Sequence, residues 1–236
     1  MASSPPEPHT TPGAPPVAVP PLWRALTAEA LGTGLLLWAI VGSGIAVTHD
    51  GPLIAQLFPH AVVVGLALAA IIVMLAPHSG AHLNPAVTLS AVLLGHLERR
   101  HAGPYVLAQV VGGAAGTAVA NATAGLAAVQ VSARARDGAG LVASEVGATA
   151  VLVLLIFLLV RAGRGPGPVG AAVGAYIAAG IVFTPSTAFA NPAVTLARTL
   201  SDTFTGIAPA SAPAFLGAQV TGALIGVALV RAFRTP

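Results

Sequence analysis

Asn84-Pro-Ala-Val-Thr-Leu89 recurs as Asn191-Pro-Ala-Val-Thr-Leu196, and this doubled hexapeptide decides the reading of the chain. Asn is a favoured helix N-cap and Pro a favoured first helical residue, because the N–H that Pro lacks would have no intrahelical partner there. Each copy therefore starts a helix. The apolar stretch that follows is only about ten residues, or about 15 Å, so each helix can cross half of a bilayer core roughly 30 Å thick. A second pair of segments repeats in the same order: Ala108-Gln-Val-Val-Gly112 with Gly116 returns as Ala218-Gln-Val-Thr-Gly222 with Gly226. One glutamate also sits in the first long apolar stretch of each half, Glu29 and Glu145.

Outward from these motifs, six longer stretches have the length and apolarity of membrane spans, at roughly 22–47, 58–76, 103–127, 144–161, 167–184 and 211–232. Composition agrees, since 56% hydrophobic and 7% charged residues lie far from the balance of a soluble domain. Each half holds three crossings, an odd number, so the second half enters the membrane from the opposite face. The expected fold is an all-α membrane protein with six transmembrane helices and two re-entrant half-helices in an inverted three-helix repeat. Such a repeat places the functional site at the midplane between the halves. The channel domain is expected over 22–236, with repeat one at about 22–127 and repeat two at about 144–236.

Residues 1–21 carry eight prolines in a Ser/Thr/Ala background and read as a disordered cytoplasmic tail, not a cleavable signal. All ten basic residues are Arg. Arg24, Arg99, Arg100, Arg161, Arg164, Arg231 and Arg234 fall on one side of the spans, and Arg134, Arg136 and Arg198 on the other. That asymmetry puts both termini in the cytoplasm of a multi-pass cell-membrane protein. The arginines are scattered, so nucleic acid is not an expected partner; the lipid bilayer and small neutral solutes are. Cysteine is absent, and His78 and His82 are separated by Gly80 outside a regular helix, so no metal site or cofactor is expected. Nothing pairs a nucleophile with a base, which argues against an enzyme. Gly112-x-x-x-Gly116 and Gly222-x-x-x-Gly226 permit close helix crossings inside the bundle. The Asn121-Ala-Thr123 sequon lies within a span, where glycosylation is not expected.

In an inverted pair the half-helices begin at the bilayer centre and run outward. Asn84, Pro85 and Ala86 then meet Asn191, Pro192 and Ala193, the small alanines allowing close approach. Each N-terminus carries about half a positive charge, and capping leaves the NH₂ groups of Asn84 and Asn191 free to face a pore. Cations are repelled. A passing water must accept hydrogen bonds from both amides and turn its protons outward, which breaks a proton wire. A passive channel for small uncharged solutes follows.

Ser79-Gly-Ala-His82-Leu-Asn84-Pro-Ala-Val-Thr88, the second Asn191-Pro-Ala, the paired glutamates and the paired Gln109 and Gln219 resemble the major intrinsic protein family of aquaporins and aquaglyceroporins. The resemblance implies a six-helix bundle with two half-helices, one pore per subunit and a homotetramer. It also implies that Glu29 and Glu145 accept hydrogen bonds from the irregular chain before each half-helix, and that His82 orients the first of these loops. The selectivity filter, carried over by spacing from the motifs, consists of Val64, Ala179, Ala188 and Val194. Val194 stands where most members have arginine. A small, apolar filter should admit glycerol, urea or neutral metalloid hydroxides as well as water. The valine resembles a bacterial subgroup of aquaglyceroporins associated with arsenic resistance, whose implied cargo is undissociated arsenite.

Arg198 and His60 are candidates for the outer filter or vestibule. Arg198 lies four residues after Val194 and can lean back toward the filter, but an i,i+4 pair with Asp202 is the more local arrangement and the expected one. Two other functions compete with the channel: a proton-coupled secondary transporter using Glu29 and Glu145, and a membrane scaffold with a vestigial pore.

Overall fold

A computed structural model describes residues 21–47 and 51–233. The Pro-rich stretch before residue 21, expected as a tail, and Arg234 lie outside the described residues. Eight helices follow in order: α1 Leu22–Ala46, α2 Leu53–Ser79, α3 Pro85–Leu94, α4 Arg99–Thr123, α5 Ala139–Arg161, α6 Pro166–Phe183, α7 Pro192–Arg198 and α8 Ala212–Ala232. Six of them are long and apolar enough to cross a membrane, and α3 and α7 are the short helices that begin at the two Asn-Pro-Ala motifs.

Several boundaries differ from the expected spans for identifiable reasons. Helix α2 runs through both Pro59 and Pro77, which apolarity alone would place at its edges. Helix α4 starts with the polar turn Arg99-Arg100-His101, beyond the apolar stretch. Helix α7 is seven residues long rather than about ten. Its last turn is unwound because other chain takes its neighbours' carbonyls: the Gln130 and Ser132 N–H groups donate to Leu200 and Thr199 at 3.0 and 2.9 Å.

The interior is largely apolar but also holds several fully buried polar side chains, and the perimeter is apolar too. Glu29, Gln109, Asn121, Glu145, Thr195 and Gln219 are all fully buried, whereas Leu66, Leu107, Val111 and Leu224 are exposed on the perimeter. Lipid removes the penalty for exposed apolar side chains and raises it for polar ones, so the polar groups collect inside.

Helix α1 packs on α4, α5 packs on α8, and α2 packs on α6 between the halves. These crossings depend on glycine. A Cβ on Gly112 or Gly116 would collide with the backbone of Ala30 or Gly34 in α1, and one on Gly226 would lie 2.7 Å from the Val153 Cβ in α5. Both short helices pack on α4 and α8, which places their N-termini together in the middle of the bundle.

An even number of crossings puts both ends of the described chain on one face, called proximal here; the opposite face is distal. On the proximal face Arg161 donates to the Val230 carbonyl at 2.8 Å and Arg231 to the Leu93 carbonyl at 2.7 Å. Each cation thereby satisfies a carbonyl at a helix C-terminus, where its charge also suits the helix dipole.

Candidate functional site

The chain entering each short helix is strained and held by one carboxylate. Among the described residues five non-glycines have left-handed φ: Ala81, Leu83, Thr187, Ala188 and Ala190. All five lie in the two loops that lead to Asn84 and Asn191, and each such residue costs of order 1–3 kcal/mol unless its surroundings fix it. Glu29 supplies that constraint in the first loop. It accepts from Ser79 Oγ (2.6 Å), His82 N (2.9 Å), Leu83 N (2.7 Å) and Gln109 Nε2 (2.7 Å). Glu145 does the same in the second, accepting from Phe189 N and Ala190 N at 2.8 Å and from Gln219 Nε2 at 2.7 Å. Gln109 and Gln219 continue to Thr88 and Thr195 in the short helices at 2.9 and 2.8 Å. His82 contacts Thr88 through Nδ1 at 3.2 Å and lies 5.4 Å from the Tyr105 ring.

At the centre the two asparagines hold both their own helix and the opposite loop. Asn84 Oδ1 accepts from Ala86 N, and Asn191 Oδ1 accepts from Ala193 N and Val194 N. The amide nitrogens cross over: Asn84 Nδ2 donates to the Ala190 carbonyl at 2.7 Å and Asn191 Nδ2 to the Leu83 carbonyl at 2.8 Å. The sequence reading left both NH₂ hydrogens spare. Here one hydrogen of each amide ties the halves together and the other has no acceptor among the described residues. Pro85 and Pro192 occupy the first helical positions, and Ala86 and Ala193 are buried at the junction.

Both asparagines line a narrow central cavity of about 70 Å³, enough for a short file of waters at upwards of 10–15 Å³ each. Its other walls are mainly aliphatic, including Leu36, Val64, Leu68, Leu152, Ile177 and Ile181. His60, Thr187 and Arg198 are shared with a distal vestibule of about 450 Å³, and Ile72, His82, Val87 and Ile156 with a proximal one of about 390 Å³. The three cavities therefore lie in series between the two faces.

Of the four residues assigned to the filter, Val64, Ala188 and Val194 line the central cavity. Ala179 does not; it is exposed on the outer side of α6, while Ile177, Gly180 and Ile181 are buried. Ungapped counting back from Asn191 fails because the intervening loop sets the register of α6. Ile181 lines the cavity, and a Cβ on Gly180 would stand 2.8 Å from that of Ala188.

The expected Arg198–Asp202 pair is also replaced. Arg198 is 4% exposed, donates through Nε to the Thr205 carbonyl, and lies 3.4 Å above the Phe189 ring centroid. Asp202 instead accepts from Ala133 N at 2.9 Å. His60 bonds Ser43 Oγ through Nδ1 at 2.7 Å and meets Phe204 edge-on.

Sequence reasoning missed the segment between α4 and α5, which brings Arg134 and Arg136 into the distal vestibule beside Phe204. The one available signal was the span count, which puts Arg134 and Arg136 on the same side as Arg198 without indicating that their segment reaches the passage. Burial, and then the like charge of Arg134, lower the Arg136 pKa to about 10, so it stays cationic at neutral pH.

A model of the family described as "Major intrinsic protein" matches residues 17–188. Aquaglyceroporin AqpS of Rhizobium meliloti (strain 1021) is 45% identical over 213 residues, covering 89% of this chain and 90% of its own. The lens fiber major intrinsic protein of Gallus gallus is 34% identical over 221 residues, covering 88% and 82% respectively. The X-ray structure of the aquaglyceroporin from Plasmodium falciparum shares the fold with a TM-score of 0.71 at 23% identity, over 89% of this chain and 95% of that one. With the matched family model spanning most of the chain and the bundle carrying paired short helices around a continuous line of cavities, the chain belongs to the major intrinsic protein family of membrane channels.

Proposed function

We propose that this channel passively conducts water, glycerol and neutral metalloid hydroxides such as arsenite while excluding protons and cations. The observation that carries the reading is the pair of crossed asparagine amides. Each leaves one donor toward a mainly aliphatic passage, at the abutting positive ends of two helices. A neutral hydroxylated solute can accept from these donors, whereas a cation meets two positive ends and no carboxylate. Val64, Ala188 and Val194 form a small, apolar filter suited to solutes larger than water, with Arg198 as its distal donor. The naming of one relative as an aquaglyceroporin supports glycerol-sized cargo. The excess of Arg on the proximal face supports cytoplasmic termini, and family resemblance supports a homotetramer with one pore per subunit.

The proton-coupled reading is disfavoured because Glu29 and Glu145 are fully buried and committed to four and three donors respectively. Stopped-flow light scattering on proteoliposomes, with water, glycerol and arsenite gradients in turn, tests the proposal. Flux above that of empty vesicles is expected for all three, with no accumulation against a gradient when a proton gradient is imposed. Proton-driven accumulation would establish the transporter, and absence of any flux would establish a scaffold.

A further inference from the structure

We propose that the distal vestibule is a binding site for a small oxyanion, held by Arg134, Arg136 and Arg198 across the mouth of the passage. All three residues line this one cavity of about 450 Å³. Buried guanidinium is normally paired with carboxylate, because desolvating a charge is costly without a partner. Arg198 is buried, Arg136 half-buried and Arg134 exposed at the rim, and none of the three has a carboxylate within ion-pair distance among the described residues. Asp202 Oδ1 accepts from Ala133 N, Asp137 Oδ1 accepts from Ser211 Oγ, and Glu145 is committed to its loop. The ion pair found among the described residues, Arg100 with Glu98, involves the start of α4 on the proximal face.

Arg136 and Arg198 are held by side-chain hydrogen bonds, and the exposed Arg134 is carried on a clamped segment. The segment that carries Arg134 and Arg136 is clamped to the chain after α7: Ala208 N donates to the Arg134 carbonyl at 2.7 Å, and Arg136 N donates to Ser211 Oγ at 3.0 Å. The Arg136 side chain donates to the Gly206 and Phe204 carbonyls at 2.8 and 3.2 Å. Phe189 supports two guanidinium groups, Arg198 at 3.4 Å and Arg136 at 5.0 Å from its centroid, and Phe204 supports Arg134 at 5.3 Å. Arg198 is the most telling. It is 4% exposed, its Nε is used by Thr205, and its two Nη groups have no acceptor among the described residues while lining the cavity.

Forked, fixed donors match pairs of oxygens on one anion better than a spherical halide. A phosphate-sized ion fits the vestibule but cannot exchange its hydration for the aliphatic walls of the central cavity. It therefore stays at the mouth. Seated over Arg198, it obstructs neutral solutes, so the proposal adds an anion-dependent brake to the conduction proposed above and uses that conduction only as a readout.

The experiment compares inorganic phosphate with chloride at matched ionic strength and osmolarity, present on both sides of proteoliposomes so that protein orientation does not matter. Each protein's water permeability in phosphate is expressed relative to its own value in chloride. Saturable inhibition by phosphate alone is expected. Arg134→Ala and Arg198→Ala should each raise the half-inhibitory concentration about tenfold, the scale of one lost charge-assisted hydrogen bond. Arg164→Ala, on the proximal face, should leave it unchanged. A parallel arm measures the unfolding temperature in detergent, which phosphate should raise more than chloride in the unsubstituted protein and not in Arg134→Ala or Arg198→Ala. Equal effects of the two anions in both arms would overturn the site, leaving only ionic screening. A phosphate effect untouched by either vestibule substitution would overturn it equally. Vesicles with no conduction in chloride would defeat the channel reading, while the unfolding arm still decides the anion site.

Discussion

A guanidinium one helical turn beyond Val194 changes what a substitution at the proposed filter can do. Val194 is 3% exposed and lines the central cavity, and Arg198 closes the same wall toward the distal face. Replacing Val194 with Arg adds a second fixed charge and a planar fork of donors beside the first. The glycerol-to-water permeability ratio should fall about three- to tenfold, the equivalent of one net hydrogen bond's worth of barrier. Arg198→Ala should raise that ratio by clearing the mouth. Unchanged ratios in Val194→Arg vesicles would mean that position 194 lies outside the path. The sequence pointed to Ala188 and Val194 because each lies three residues from Asn191, and to Val64 because the Ser79–Asn84 run holds its spacing from the first motif. It misdirected Ala179 and Arg198 for separate reasons. Ala179 lies across a loop whose length sets the register, and the i,i+4 rule that would join Arg198 to Asp202 needs a helix that continues past Arg198. Helix α7 ends there.

Short helices of seven and ten residues hold at membrane depth only if the irregular chain before them is satisfied from within. The two glutamates provide this, so Glu29→Gln and Glu145→Gln should each destabilise the protein by at least about 2 kcal/mol, since hydrogen bonds to a charged acceptor contribute roughly 1.5–3 kcal/mol each. Thermal unfolding in detergent measures the loss, and Glu29→Gln should show the larger one because it accepts four donors against three. Both variants unfolding like the unsubstituted protein would remove the glutamates from this role. A second prediction concerns the α1–α4 crossing. Gly112→Ala should prevent close packing, because the added carbon meets the Ala30 backbone, which cannot move aside. Gly103→Ala, in the same helix with nothing within 4 Å, should be neutral or stabilise by up to about 1 kcal/mol. Comparable folded yields of the two variants would contradict the crossing geometry. At this scale the sequence was informative because glutamate is a rare choice within an apolar span and because the Gly112–Gly116 spacing returns as Gly222–Gly226. Helix ends were less legible, since α2 continues through Pro59 and Pro77 and α4 extends into a polar turn.

The whole molecule is organised by its inverted repeat, which is why two short motifs revealed most of the architecture. The segment between α4 and α5 joins the halves and has no counterpart in the repeat, so nothing in the pattern indicated that it would deliver Arg134 and Arg136 to the distal mouth. The repeat makes a prediction about charge. Asn84 and Asn191 hold equivalent positions, each capping its own helix and donating to the opposite loop. An aspartate at either site still accepts from the helix N–H groups, so the cap survives. It donates nothing to the Leu83 or Ala190 carbonyl, and it sets a full negative charge against two helix ends of about half a positive charge each. The central barrier proposed for cations is then largely neutralised. Asn84→Asp and Asn191→Asp should therefore raise the ratio of potassium to water permeability to a similar extent, by about tenfold for every 1.4 kcal/mol of barrier removed. The double variant should leak more than either alone, since its two charges exceed the helix ends in magnitude. Potassium-selective dye uptake and stopped-flow water flux, measured in the same vesicles, give the ratio for each variant. A large leak from one single variant and none from the other would show that the halves do not share the barrier. Unchanged ratios in both folded variants would place the asparagines outside the permeation path.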